Sequence, residues 1–271
     1  MMKRLIWVWC TLAFILAGCK TMGVKDLDRT LAADSIDWQM IPAGDKPIPA
    51  KYFPSKKSGK SPSIFILHGT NGPDARGEYW AKFFNERGYN ALIVDFKKGR
   101  FTGPLDRLNV LPQPLVDYSV EWLIKQPEVD SKNISWMGFS YGAATGLMRE
   151  QDRWSSFILF YPGCWSFTKD QTPKPPRYWA YHAERPRLKP TLIVWGTYDG
   201  YGEGEFCPKM VELMSGAVET LSIEGAHHGF DGEISINFSD GASPTGYSSL
   251  RPSKAAREIA GKRIEEFLKI R

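Results

Sequence analysis

Histidine and cysteine are sparse in this sequence, four of each among 271 residues. So few histidines leave a short list of candidates for a general base, the role an imidazole fills best near neutral pH. Internal repeats are absent, which excludes solenoid and propeller architectures, and no low-complexity block interrupts the chain. Charge is only mildly unbalanced, with 35 Lys and Arg against 30 Asp and Glu, a formal +5. The basic residues are scattered, and no run of them is interleaved with aromatics, so the electrostatic footprint of a nucleic-acid binder is missing. Such an excess suits a solvated surface near an anionic membrane. The apolar stretch at residues 5–16 is too short to span a bilayer as a mature helix.

That stretch has the layout of an export signal rather than of a folded element. Lys3 and Arg4 precede it and Leu16-Ala17-Gly18-Cys19 closes it, giving a basic start, an apolar centre and a small-residue end. Small residues directly before a cysteine resemble the bacterial lipoprotein signal. The resemblance implies cleavage before Cys19, lipid on its thiol and new amino group, and a periplasm-facing membrane anchor. The non-acidic Lys20 then points to the outer membrane. The expected organisation is a signal over 1–18, a polar tether over 19–35 and one domain over 36–271. Cys10 leaves with the signal and Cys19 carries lipid, so Cys164 and Cys207 remain as an even pair in an oxidising compartment. A disulfide between them is expected.

Residues 63–67 and 90–96 are apolar runs, as expected of strands buried on both faces, 134–137 is a short apolar run within 133–140, and 156–161, 191–196 and 218–223 read as further strands. Between and after them, 78–87, 114–125, 205–215 and 253–270 have helical spacing. Their predicted inward faces include Trp80, Phe83 and Phe84; Leu115, Tyr118, Trp122 and Leu123; and Ala256, Ile259, Ala260, Ile264, Phe267 and Leu268. Residues 36–53, broken by Pro42, Gly44, Pro47 and Pro49, suit an antiparallel edge pair. Alternating strands and helices predict an α/β fold, a mostly parallel sheet covered on both faces. In such sheets ligands bind at the carboxyl ends of the strands. Residues 165–189 are rich in proline and aromatics without a period and read as a long loop or cap.

The chemically suggestive residues all fall where these strands end. Gly138-Phe139-Ser140-Tyr141-Gly142 is G-x-S-x-G between a strand and a helix, the setting that holds a serine hydroxyl out on a strained turn. A serine hydroxyl needs a base within hydrogen-bond reach, and that base needs an orienting group. Asp199 follows the strand at 191–196, and His227-His228 follows the strand at 218–223. Serine, acid, histidine is the chain order of the α/β-hydrolases.

The span from about 63 to 267 resembles the dienelactone hydrolase branch of that fold. The matching features are His68-Gly69, Gly138 to Gly142, Tyr161-Pro162-Gly163, Trp195-Gly196 with Asp199, and His228-Gly229-Phe230. The resemblance implies Ser140 as nucleophile, His228 rather than His227 as base, Asp199 as acid, and an oxyanion hole from the backbone N–H groups of Thr70 and Tyr141. It implies no metal and no cofactor. Two features depart from that branch: its nucleophile is cysteine where this chain has Ser140, and its activating glutamate falls on Gly69. What is implied is therefore serine-type hydrolysis of a small carboxylic ester or lactone.

The same residues allow blander roles. His68 is read as a brace for the loop that carries Thr70, and His227 as a surface neighbour. His182 lines the cap or is exposed. Asp231 is the fallback acid, and Trp165, Tyr178, Trp179 and Tyr181 are candidates for an apolar substrate wall. Competing functions are a peptidase or acyltransferase on the same triad, or an envelope binding lipoprotein without activity.

Overall fold

The computed structural model describes residues 22–23, 38–44, 47–96, 113–148, 152–165, 188–212, 214, 216–241, 243 and 245–269. Eight strands form the main sheet: β2 (Gln39–Ile41), β3 (Ile48–Phe53), β4 (Ser61–Leu67), β5 (Asn90–Val94), β6 (Val129–Phe139), β7 (Ser156–Phe160), β8 (Leu188–Gly196) and β9 (Gly216–Ile223). Their order is β2-β3-β5-β4-β6-β7-β8-β9. β2 and β3 pair antiparallel at one edge and β3 meets β5 antiparallel, while the remaining pairs are parallel. Pro49, in β3 opposite Met40 of the edge strand β2, lies before the first β3–β5 pair at Ala50, so its missing N–H falls outside that ladder.

Successive side chains on a strand point to opposite faces, and the two faces hold separate cores. Phe65, Leu67, Leu92, Val94, Trp136, Leu159 and Ile193 pack under α2 (Gln113–Leu123), α3 (Tyr141–Leu147) and α4 (Glu203–Glu212). Ile64, Ile66, Ile93, Met137, Ile158, Phe160 and Val194 pack under α1 (Ala75–Glu86) and α5 (Lys254–Leu268). Each fully buried Ile, Val, Leu or Phe of this kind contributes about 1.5–3 kcal/mol. α1 starts at Asp74, whose carboxylate accepts the Arg76 N–H, and α5 at Ser253, which accepts the Ala256 N–H; both are side-chain caps of the usual type.

Two inward assignments are corrected. Ile259 is 47% exposed, because the buried stripe of α5 runs through Ala256, Ala260 and Ile264 at i, i+4 spacing and leaves position 259 beside it. Tyr118 is 43% exposed for the same reason: Val116, Ser119, Val120 and Leu123 form the inward stripe of α2. A second sheet was not expected at all. β10 (Ile236–Ser239) and β11 (Tyr247–Leu250) make a hairpin, and β1 (Met22–Gly23), within the segment read as an aperiodic tether, pairs parallel with β10. Phe238 and Leu250 of this sheet pack with Tyr201, Ile234 and Ile236.

Cys164, just past β7, and Cys207, in α4, form a disulfide with Cα atoms 4.9 Å apart. Parallel pairing of β7 with β8 brings the segments after both strands to one edge. The bridge closes a separation of 43 residues, for which chain entropy suggests about 3–4 kcal/mol. Reduction is expected to lower the melting temperature by about 10 °C. Melts with and without reductant, alongside intact mass after alkylation, measure this; two free thiols in exported protein would contradict it.

Candidate active site

Ser140 has φ 51° and ψ −112°, a left-handed setting that a side chain adopts only under constraint. The constraint is close packing between β6, α3 and β4. A methyl group at Gly138 would lie 2.3 Å from the Gly142 carbonyl oxygen, and one at Gly142 would lie 2.3 Å from that of Leu67. Neither position admits a Cβ, so both glycines of the pentapeptide are required by contact. The Ser140 N–H donates to the Phe160 carbonyl (2.9 Å) and its own carbonyl accepts the Ala144 N–H (2.9 Å). The serine is thereby tied to β7 on one side and to α3 on the other.

Asp199 lies in the turn after β8, with its side chain fully buried. Its Oδ1 accepts the Tyr201 N–H at 2.9 Å, and its Oδ2 lies 2.7 Å from His228 Nδ1. A carboxylate can only accept, so Nδ1 carries the proton and Nε2 is the basic nitrogen. The neighbouring His227 turns elsewhere, its Nδ1 3.2 Å from Ser249 Oγ and its ring against Tyr198. Asp231 does not reach His228 in this arrangement; it accepts from Trp80 Nε1 at 2.8 Å and from the Tyr161 hydroxyl.

Two tyrosines pack against the imidazole, Tyr161 with ring centroids 4.5 Å apart and Tyr201 at 4.6 Å. Tyr161 directly follows Phe160, whose carbonyl holds Ser140, so Ser140 and His228 flank one residue. Tyr161 also has positive φ, 39°. Its hydroxyl is fixed by Arg76 Nη1 at 3.1 Å and by Asp231, and Arg76 is paired with Asp74. Burial first, then the Asp231 charge, pushes the Tyr161 phenol well above its ordinary range, so it stays a hydroxyl. Asp231 is itself pushed up by burial, an effect Arg76 opposes.

Glu203 is a second buried carboxyl beside Asp199. Its oxygens accept the N–H groups of Gly163 (2.6 Å) and Cys164 (2.9 Å). Burial first, and the charge of Asp199 second, push it well above the usual carboxylate range, which favours the protonated form. Asp199, Glu203 and His228 place one potential metal-ligating atom each within 4.8 Å, as do Cys164, Glu203 and Cys207. These donors already serve one another: the sulfurs are bonded, Glu203 takes two backbone N–H groups, and Asp199 takes His228. The sets fit a hydrogen-bonded cluster better than a cation.

Tyr141 follows Ser140 at the start of α3, and a methyl group at Gly69, the residue before Thr70, would lie 3.6 Å from Ser140 Cβ. His68 accepts the Phe96 N–H on Nε2 (3.2 Å), which leaves Nδ1–H to donate to the Gly69 carbonyl (2.6 Å). His68 thus shapes the loop before Thr70, a bracing role. The Gly142 contact with Leu67 and His68 carbonyls fixes the start of α3 against that loop. Sequence reasoning missed Arg76, Tyr201 and Glu203; none carries a local motif, although Tyr161 stood within the Tyr161-Pro162-Gly163 match. Cys19, His182, Tyr178, Trp179 and Tyr181 lie outside the described residues. Among the described residues no helix is long and apolar enough to cross a membrane.

No protein-family model and no curated protein matches the chain. Solved structures do. A butyrate-bound esterase, Est2, from Thermogutta terrifontis superposes with TM-score 0.63 at 18% identity, covering 86% of this chain and 93% of that one. The same esterase phosphorylated by paraoxon gives 0.62 at 17% identity, covering 86% and 92%. A dienelactone hydrolase from Anabaena variabilis gives 0.59 at 14% identity, covering 86% and 95%. The chain has the α/β-hydrolase fold: a mostly parallel central sheet with helices on both faces.

Proposed function

We propose that the protein is a serine hydrolase of small carboxylic esters or lactones, with Ser140 as nucleophile, His228 as base and Asp199 as orienting acid. The observation that carries this is the 2.7 Å contact of His228 Nδ1 with a buried Asp199, at the same sheet edge as a serine held at φ 51°. Ser140 Oγ attacks the carbonyl carbon while its proton passes to His228 Nε2. The carbonyl oxygen becomes an anion, held by the backbone N–H groups of Tyr141 and Thr70. The bond to the leaving oxygen then breaks, and His228 delivers its proton there, leaving an acyl-enzyme. Water attacks next, giving one proton to His228, which returns it to Ser140 as the acid departs. Asp199 keeps the imidazole in the productive tautomer and offsets its positive charge.

Support comes from the likeness to solved esterase and dienelactone hydrolase structures. Covalent labelling of Ser140 by a fluorophosphonate, mapped by mass spectrometry, tests the nucleophile, and a panel of esters, lactones and amides tests the class. A protein that takes no label and turns over none of the panel would instead be a binding lipoprotein.

From Leu16-Ala17-Gly18-Cys19 we propose separately that a lipid on Cys19 anchors the protein on the periplasmic side of a bacterial membrane. Cys19→Ala is expected to give unprocessed or unlipidated protein. Wild type that fractionates as free periplasmic protein, with no lipid mass at its N-terminus, would refute the anchor.

A further inference from the structure

We infer that Tyr201 is a positioning residue for His228, its ring held against the imidazole so that the contact strengthens when the imidazolium forms. This rests on the serine-hydrolase reading above. Tyr201 touches both members of the acid–base pair: its N–H donates to Asp199 Oδ1 at 2.9 Å, and its ring centroid lies 4.6 Å from that of His228. The far end of the ring is fixed too. The Tyr201 hydroxyl donates to Asp240 Oδ2, and Asp240 is held at the end of β10 by its N–H to the Gly246 carbonyl (3.0 Å). Backbone and hydroxyl together leave the ring little freedom to turn away. The unexpected β10–β11 hairpin therefore has a use, since it carries the anchor for this ring and makes a bridge between Leu250 and His228.

The two rings meet edge to face at 62°, and the negative face of an aromatic ring attracts an imidazolium edge more than a neutral imidazole edge. Because the cation forms only as the reaction proceeds, the attraction is stronger in the transition state than in the ground state, the condition for accelerating a chemical step. Other charged or titratable groups also face His228. Asp199 bonds it directly, and Glu203 stands beside Asp199 on α4. Tyr161 packs on it from the end of β7, backed by Arg76 and Asp231. Arg76 approaches Gly229 as well, Asp240 stands behind Tyr201, and His227 adjoins in sequence. All of these side chains remain when position 201 is changed; the hydroxyl bond to Asp240 goes with the ring in Leu and Met, and Tyr201→Phe, which loses that bond alone, separates the two effects.

The experiment is the pH profile of kcat/KM for p-nitrophenyl acetate in wild type, Tyr201→Phe, Tyr201→Leu and Tyr201→Met. Leu and Met keep apolar contact with the Phe238–Leu250 cluster, and two variants guard against a failure to fold. On the plateau the free enzyme holds neutral His228, and only the transition state carries the cation. There the Leu and Met variants should be about threefold slower, and their acidic limb should move to lower pH by about half a unit. Below the limb the free enzyme already carries the cation, so their rates should converge with wild type. Tyr201→Phe keeps the ring but loses its tie to Asp240, so its profile should fall between wild type and the Leu and Met variants. A merely structural role would lower the whole profile evenly, and simple entry of water would move the limb upward; either result overturns the inference. The His228 resonance in histidine-labelled protein, followed by NMR titration, should show the same half-unit displacement and needs no turnover. An unmoved midpoint defeats the Tyr201 inference whatever the activity. Wild-type turnover that survives Ser140→Ala defeats the hydrolase reading alone.

Discussion

Ser140→Ala and His228→Ala should each lower kcat toward a common residual rate, about 10⁴–10⁶-fold below wild type, and the double variant should be no slower than either. The non-additivity follows from the chemistry. A serine hydroxyl without a base is not ionised at the moment of attack, and a base without the hydroxyl has no proton to take. Asp199→Asn should cost about 10⁴-fold, because the amide cannot offset the imidazolium and can stabilise the wrong tautomer. Its buried setting leaves no water to substitute for the lost carboxylate. Fluorophosphonate labelling should vanish in Ser140→Ala and slow in the other two. Steady-state kinetics on one small ester separate these cases. A Ser140→Ala protein that keeps a hundredth of wild-type turnover would place the nucleophile elsewhere.

What could be read from the sequence was local. Runs such as Ile64-Phe65-Ile66-Leu67 and Leu192-Ile193-Val194 are apolar on both faces, and only a covered strand wants that. The register of those strands then places Ser140, Asp199 and His228 at one edge. Choosing His228 over His227 was a different matter: the two are adjacent and chemically identical, and the choice came from resemblance to a family. The structure separates them by partner, Asp199 for one and Ser249 for the other. Arg76, Glu203 and Tyr201 were not legible, because each is defined by a partner distant in the chain. Tyr161 lies 85 residues from Arg76, and Gly163 lies 40 from Glu203. Buried charge leaves no periodic trace; in sequence, Arg76 and Glu203 fall two residues ahead of the helices read at 78–87 and 205–215 and look like ordinary solvated residues. The β10–β11 hairpin did leave a trace. Ile236-Asn237-Phe238-Ser239 and Tyr247-Ser248-Ser249-Leu250 flank an Asp240-Gly241 start and a Gly246 end, a hairpin signal that its Ser and Gly content obscured.

Arg76→Met should be the most destabilising of the substitutions away from the reacting groups, and its effect should depend on pH. Arg76 lies buried among Asp74, the Tyr161 hydroxyl and, through Tyr161, Asp231. Removing a buried cation while its anions remain costs about 3–5 kcal/mol, on the order of 10 °C in a domain of this size. Methionine fills similar volume, so the loss reports charge more than a cavity. The pH dependence has a definite sign. Asp231 is raised in the folded state by burial, and Arg76 is the main group holding it down. A carboxyl raised on folding binds more protons folded than unfolded, so its contribution is fully present below the unfolded value and is lost as pH rises through the folded one. Without Arg76 that folded value climbs further and the window widens. The gap between variant and wild type should therefore be wide at pH 7.5 and narrow toward pH 4–5. Adding Asp231→Asn, which removes the orphaned charge, should recover part of the loss at pH 7.5 and little at pH 4.5. Thermal melts of the four proteins at the two pH values measure all of this. An Arg76→Met deficit equal at both would mean that the guanidinium acts by packing alone. Activity should fall along with stability, since the Tyr161 ring that Arg76 fixes lies against His228.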